Sequence, residues 1–228
     1  MFSTSDLPIR RKTWIKTANI PPAKVGWELD DCSDITDEIK TTILSWLKGL
    51  YTGRVIRAEG KPTCGIGLML YGLPGRGKTT VANAVLQDII RNVPPEIVGL
   101  EPGKAVPRPC YFITYNGILD LKGDIMDNHD SDDELLYNGL LGEAVDESYN
   151  VRVLIIDDVG KEHASASGWQ KNMLHHVLRT RFNNGLPTII TTNVRLDDWE
   201  AHYGSATQSF VHEAFVYLNV DSAKDLRK

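Results

Sequence analysis

Hydrophobic residues along this chain follow two rhythms. Short apolar runs without polar alternation occur at 67–71, 111–115, 151–159, 188–192 and 215–218. Such runs mark strands buried on both faces of a parallel sheet. Between them, apolar positions recur at helical spacing. Ile39, Ile43, Leu44 and Leu47 form one set, Val81, Val85 and Ile89 a second, and Trp169, Met173, Val177 and Leu178 a third. The first helix is predicted to open at the cap Asp34-Ile35-Thr36-Asp37, run to about Lys48 and end at Gly49. The second runs from 78 to about 91, where Pro94-Pro95 stops it. The third spans 169–182 and ends at Asn183-Asn184-Gly185. Residues 117–149 read as helix in pieces, with Leu135, Leu136, Leu140 and Leu141 inward. Strands alternating with helices predict a layered α/β domain on a mostly parallel sheet.

Ahead of this pattern, residues 1–27 hold Pro8, Pro21 and Pro22 and little periodicity, so they read as an extended arm leading into a single domain, 28–228. The arm is basic through Arg10, Arg11, Lys12, Lys16 and Lys24, whereas 120–147 is strongly acidic. The net charge of −5 excludes a generally basic nucleic-acid binder. Contact with DNA would need a local patch, several subunits or a partner. No apolar run approaches the ~20 residues of a membrane helix, and the start lacks the apolar core of a secretory signal. Cys32, Cys64 and Cys110 fit neither a disulfide framework nor a zinc site, and read as reduced thiols of a cytoplasmic protein. The segment 93–109, with five prolines and two glycines, reads as a surface loop.

The chemistry starts at Gly72, Leu73, Pro74, Gly75, Arg76, Gly77, Lys78 and Thr79, which fit G-x-x-x-x-G-K-[ST] at every position, with Thr80 following. The motif sits where its mechanism needs it, after a strand and opening a helix. Glycines let main-chain N–H groups converge on phosphate oxygens, and the helix N-terminus adds positive potential. Lys78 carries charge to the β- and γ-phosphates, and the Thr79 hydroxyl is placed to ligate Mg²⁺. The second half is Val153-Leu154-Ile155-Ile156-Asp157-Asp158. Two carboxylates ending a buried strand are expensive unless a cation compensates them. Asp157 is expected to hold Mg²⁺. Asp158 either orients the attacking water or caps the following turn. Asn193 ends the fourth strand, as a turn residue or as a donor to the γ-phosphate or the water.

The order of these motifs resembles the AAA+ ATPases of the DnaC/DnaI helicase-loader family and the similar IstB transposition helpers. The likeness runs through Ala18-Asn19-Ile20-Pro21-Pro22, the P-loop, Ile156-Asp157-Asp158-Val159-Gly160-Lys161-Glu162, and 181–193 with its Pro-Thr-Ile-Ile-Thr-Thr-Asn strand, covering about 18–228. The resemblance implies an AAA+ core of five parallel strands in order 5-1-4-3-2, here without a sizeable C-terminal lid. It implies ATP hydrolysis with Mg²⁺, ATP bound between subunits of a ring or helical homo-oligomer, and engagement of single-stranded DNA and a replicative DnaB-type helicase. It makes Asp158 the catalytic carboxylate, Asn193 sensor 1 and Arg227 sensor 2 beside the γ-phosphate. A compact loader of this kind points to a phage or mobile element. One departure matters. Residues 205–213 hold no arginine where the family carries its finger, so hydrolysis is slow or Arg179, Arg181 or Arg195 substitutes. An IstB-like helper on duplex DNA and a weakly hydrolysing ATP-binding adaptor are the competing readings.

Blander expectations attach to the remaining features. His175-His176 project about 100° apart on a helix and read as surface polar residues rather than a metal pair. Tyr111, Phe112 and Tyr115 read as strand core rather than a base-stacking platform. Lys104 and Arg108 read as solvated loop cations.

Overall fold

The computed structural model describes residues 1–32, 35–56, 64–99, 106–128, 130–161 and 168–221. Helix α1 (Ile9–Thr17) and α2 (Asp37–Tyr51) precede strand β1 (Gly67–Tyr71) and α3 (Lys78–Asn92). Then come β2 (Cys110–Thr114), α4 (Tyr115–Asn128), α5 (Ser131–Leu141), β3 (Val153–Val159) and α6 (Trp169–Asn183). Strand β4 (Thr188–Thr192), α7 (Trp199–Tyr203), α8 (Ser205–Ala214) and β5 (Phe215–Asn219) complete the order. The five strands pair in parallel as β2-β3-β4-β1-β5, the order the family likeness implied. All five expected strands form within two residues of their expected bounds.

The unbroken apolar runs have the predicted cause: Leu68, Leu70, Leu154, Ile155, Ile156, Ile189 and Ile190 are fully buried. One core, holding Trp46, Leu50, Val85 and Ile89, covers one face of the sheet with α1, α2 and α3. A second, holding Leu140, Leu174, Leu178, Trp199 and Phe210, covers the other face with α4 to α8. Leu44, Leu135 and Trp169 lie on the outer side of their helices instead of facing inward. Helix α2 starts at a cap on Thr36, whose hydroxyl accepts from Ile39 N, and it passes through Gly49 to Tyr51. Burial of Leu50 continues the apolar face and overrides the glycine stop.

The expected extended arm is instead partly helical and packed. Trp14 and Ile15 of α1 are buried, and this apolar pair, not the prolines, decides the local structure. Trp14 Nε1 donates to Val106 O at 2.8 Å, and Arg11 donates to Ile90 O and Val93 O at the end of α3. Beyond α1, Phe112 N donates to Ala18 O and Asn19 Nδ2 to Phe112 O, so the arm covers the edge of β2. Covering an edge strand removes a template for unwanted pairing.

Candidate nucleotide site

The parallel sheet brings the C-terminal ends of β1, β3 and β4 side by side, and their exits carry the P-loop, the acidic pair and Asn193. The loop from Gly72 turns into α3 through Gly77, whose φ of 75° is a left-handed position that glycine adopts without strain. Lys78, 6% exposed, donates through Nζ to the Gly72 and Leu73 carbonyls, each at 2.8 Å. It therefore folds back over the cradle it is expected to share with phosphate. Burial pulls its ammonium down to about 8, and the nearby Asp158 opposes that. An anion placed in the cradle would supply the missing negative charge.

Thr79 Oγ1 donates to Asp157 Oδ1 at 2.9 Å, across 78 residues of sequence. Asp157 is 5% exposed, and burial pushes its carboxyl above the usual range, with the Thr191 and Thr79 hydroxyls acting against the shift. The donor set is a hydroxyl and one carboxylate, both hard oxygens. That suits Mg²⁺, which takes one or two protein oxygens and completes its shell with water and substrate phosphates. Among the described residues, no three His, Cys, Asp or Glu side chains are placed to hold a metal ion together. Thr79 and Asp157 would hold the ion, and the ion would supply charge neutralisation between the β- and γ-phosphates.

Asp158 owes its position to a β-bulge. The β3–β4 register steps from Ile156↔Ile190 to Val159↔Thr192, three residues against two. Bulges re-aim side chains next to sites. Here Asp158 takes φ 60°, rare for a residue with a β-carbon, and its amide donates to Thr191 Oγ1 at 3.0 Å. The same Thr191 hydroxyl donates to Asp157 Oδ1. Thr191 thus holds both acids, a role that reading Thr191-Thr192-Asn193 only for its asparagine missed. Asp158 is 39% exposed and ion-paired with Lys161 at 2.7 Å. Asn193 is half-buried directly after β4.

Other expectations meet the structure differently. The Thr80 hydroxyl accepts from Lys24 Nζ at 2.7 Å, so this side chain is committed to the N-terminal segment and not to the cradle. Arg181 is buried in full. Its guanidinium donates to Thr188 Oγ1 and to the carbonyls of Leu140, Val151, Arg152 and Pro187. A side chain so enclosed cannot reach into a neighbouring subunit, which removes it as a finger. Arg179 is exposed on α6, over the Phe210 ring at 5.2 Å, and Arg195 is exposed beyond β4. His175 bonds Thr207 and His176 is exposed, while Phe112 and Tyr115 are core and Tyr111 is half-buried. Arg108 lies over Tyr111, and Cys32, Cys64 and Cys110 are in no disulfide. Arg227, Glu162, Lys104 and the cap residue Asp34 lie outside the described residues. No described helix is long and apolar enough to cross a membrane.

No protein-family model and no curated protein matches the chain. Solved structures do. The DnaC helicase loader is 26% identical, with 87% of this chain and 99% of that one covered at a TM-score of 0.60. DnaI is 18% identical over 88% and 94%, at 0.59. The replication initiator DnaA bound to AMPPCP and single-stranded DNA is 12% identical, at 0.56, covering 88% of this chain and 51% of that one. The last two share the fold. The first adds 26% identity on the same strand order, so the chain has an AAA+ fold similar to that of the DnaC helicase loader, which supports a DnaC-like AAA+ family.

Proposed function

We propose that the chain is a magnesium-dependent ATPase that loads a replicative DnaB-type helicase onto single-stranded DNA, acting as a homo-oligomer with ATP at its subunit interfaces. The observation that carries this reading is the Thr79–Asp157 contact beside Lys78, since it unites both halves of a triphosphate site. The likeness to the DnaC helicase loader supports the helicase partner, and the likeness to DnaA supports nucleotide and single-stranded DNA as ligands.

In this reading Lys78 turns from the Gly72 and Leu73 carbonyls toward the β- and γ-phosphate oxygens. Thr191 keeps Asp157 aimed at Thr79. Asp158 accepts a proton from the water that attacks the γ-phosphorus, and the β–γ bridging oxygen leaves with ADP. Asn193 orients that water or the γ-phosphate from the neighbouring strand end. Arg227 acts as sensor 2.

Helix α8 lies directly before β5 and contains no arginine. This favours, as the second reading, an adaptor that binds ATP and scarcely hydrolyses it. Turnover with and without single-stranded DNA, on wild type and Lys78→Ala, separates the two. Hydrolysis that depends on Lys78 supports the ATPase; its absence leaves the adaptor. Failure to capture any replicative helicase in the presence of ATP would remove the loader assignment.

A further inference from the structure

We propose that Asp221 is a positioning residue of the phosphate loop, clamping the Gly72–Leu73 peptide in the orientation that nucleotide binding requires. This rests on the ATP reading above and deepens it. Asp221 lies just beyond β5, at the sheet edge, and 148 residues separate it from its partner. Its Oδ1 accepts from Leu73 N at 2.5 Å. The other polar end of the same peptide, the Gly72 carbonyl, accepts from Lys78 Nζ at 2.8 Å. One peptide plane is therefore held between a carboxylate and an ammonium.

The clamp has a reason to exist. Gly72 sits at φ 145°, a conformation open to glycine and little else, so its own backbone gives the following peptide little restraint. A flip of that plane would set the Leu73 N–H against the Lys78 ammonium and the Gly72 carbonyl against the Asp221 carboxylate, and Lys78 would lose one of the two carbonyls that hold its Nζ over the cradle. Asp221 blocks the flip by bonding the N–H on the outer side. The fit is mutual, because a β-carbon added at Gly72 would fall 2.6 Å from Asp221 Oδ1. The carboxylate is itself fixed. Asp221 N donates to the Asn219 side chain at 2.9 Å, and Val220 N donates to Tyr71 O at 2.9 Å, continuing the β1–β5 pairing.

An acid beside a triphosphate loop would ordinarily repel the ligand. Two features reduce that cost: one oxygen is spent on a main-chain N–H, and the charge lies on the side of the peptide away from Lys78. Asp221 is also among the carboxylates that keep Lys78 protonated against its burial.

The test uses full-length wild type, Asp221→Ala, Asp221→Asn and Lys78→Ala. Mg-ATP affinity is read by titration of a fluorescent ATP analogue and its displacement by ATP, and the melting temperature is read without nucleotide. Asp221→Ala should bind about tenfold more weakly, the scale of one hydrogen bond to a charged group. Its nucleotide-free melting temperature should stay within about 2 °C of wild type. Asp221→Asn, whose Oδ1 still accepts from Leu73 N, should recover most of the loss. Unchanged binding by Asp221→Ala, or Asp221→Asn as weak as Asp221→Ala, overturns the proposal, as does an affinity loss that merely tracks a falling melting temperature. Wild type that binds no ATP, with Lys78→Ala the same, removes the ATP reading and this proposal with it. Wild-type binding abolished by Lys78→Ala but untouched by Asp221→Ala removes this proposal alone.

Discussion

Replacing Arg181 by alanine should destabilise the fold heavily while leaving the nucleotide cradle of the folded fraction intact. Arg181 is buried with no carboxylate among its hydrogen-bond partners in the described residues; its charge is met by one hydroxyl and four carbonyls. Burial pulls its guanidinium down to about 9, so it still carries its proton at neutral pH. The five acceptors come from the end of α5, the residues leading into β3, and the start of β4, so the side chain ties three elements at the sheet end opposite the cradle. Truncation leaves the buried carbonyls of Leu140 and Val151 without this donor, at roughly 1–3 kcal/mol each, while Pro187 O keeps Leu154 N; a cavity also remains where the side chain lay. Relief from burying a charge returns part of that. The net loss should be roughly 3–5 kcal/mol, within the range for breaking a buried charged network. In a chain of this size each kcal/mol moves the midpoint by about 2–4 °C, so the melting temperature should fall by about 6–20 °C. Arg181→Lys, with three donors on a single nitrogen, should recover only part of this. The assay is thermal melting by circular dichroism, paired with ATP-analogue binding below the transition. A melting temperature within about 2 °C of wild type for Arg181→Ala would refute the argument that this network holds the strands together.

The exposed neighbour on the same helix should behave in the opposite way. Arg179→Ala should leave the melting temperature and ATP affinity unchanged while lowering DNA-stimulated turnover about a thousandfold, the scale of an arginine acting in trans; unchanged turnover would direct the search to Arg195. Because Lys78 is pulled down to about 8, it is partly neutral in the nucleotide-free protein near that pH. ATP binding at pH 8–9 should then take up protons, seen by calorimetry in buffers of differing ionisation enthalpy, and a binding enthalpy that does not change with the buffer would refute this. The sign for stability follows as well. A lysine depressed by burial binds fewer protons folded than unfolded, so nucleotide-free stability should rise with pH between about 8 and the ordinary lysine value near 10.4. Thr191→Val removes the hydroxyl shared by Asp157 and the bulge amide; turnover should drop by more than tenfold with ATP affinity changed less than threefold, on the scale of one lost charged hydrogen bond, and equal losses in both would argue for general misfolding.

The fold was legible because it depends on local chemistry repeated along the chain. Unbroken apolar runs identified the strands, and the P-loop located the helix that follows β1. What escaped were features set by contacts far apart in sequence. The arm looked extended by its prolines, yet Trp14 and Ile15 find a buried surface on α3 and β2 that only the assembled domain provides. The Asp158 bulge was hidden for a similar reason, since a register shift is a property of two strands, not of one. Asp221 carried no local signal: an acid after a strand reads as a turn residue until Leu73 is seen beside it.

Arg181 is the instructive case, because the signal was present and composition argued against it. Met173, Val177 and Arg181 recur at four-residue spacing, and Leu174 and Leu178 fill the same stripe of α6. Periodicity therefore places Arg181 on the buried face, whereas residue type places it in solvent, because arginine is rarely buried unless its donors are paired. The conflict resolves once the partners are counted. Leu140, Val151, Arg152 and Pro187 point their carbonyls at the buried guanidinium. A side chain with five planar donors satisfies them together, which an apolar residue at the same position could not do. A cation on the inward stripe of an otherwise apolar helix is thus a marker for carbonyls gathered where strands begin and a helix ends, and it separates a structural arginine from one free to act on a neighbouring subunit's nucleotide.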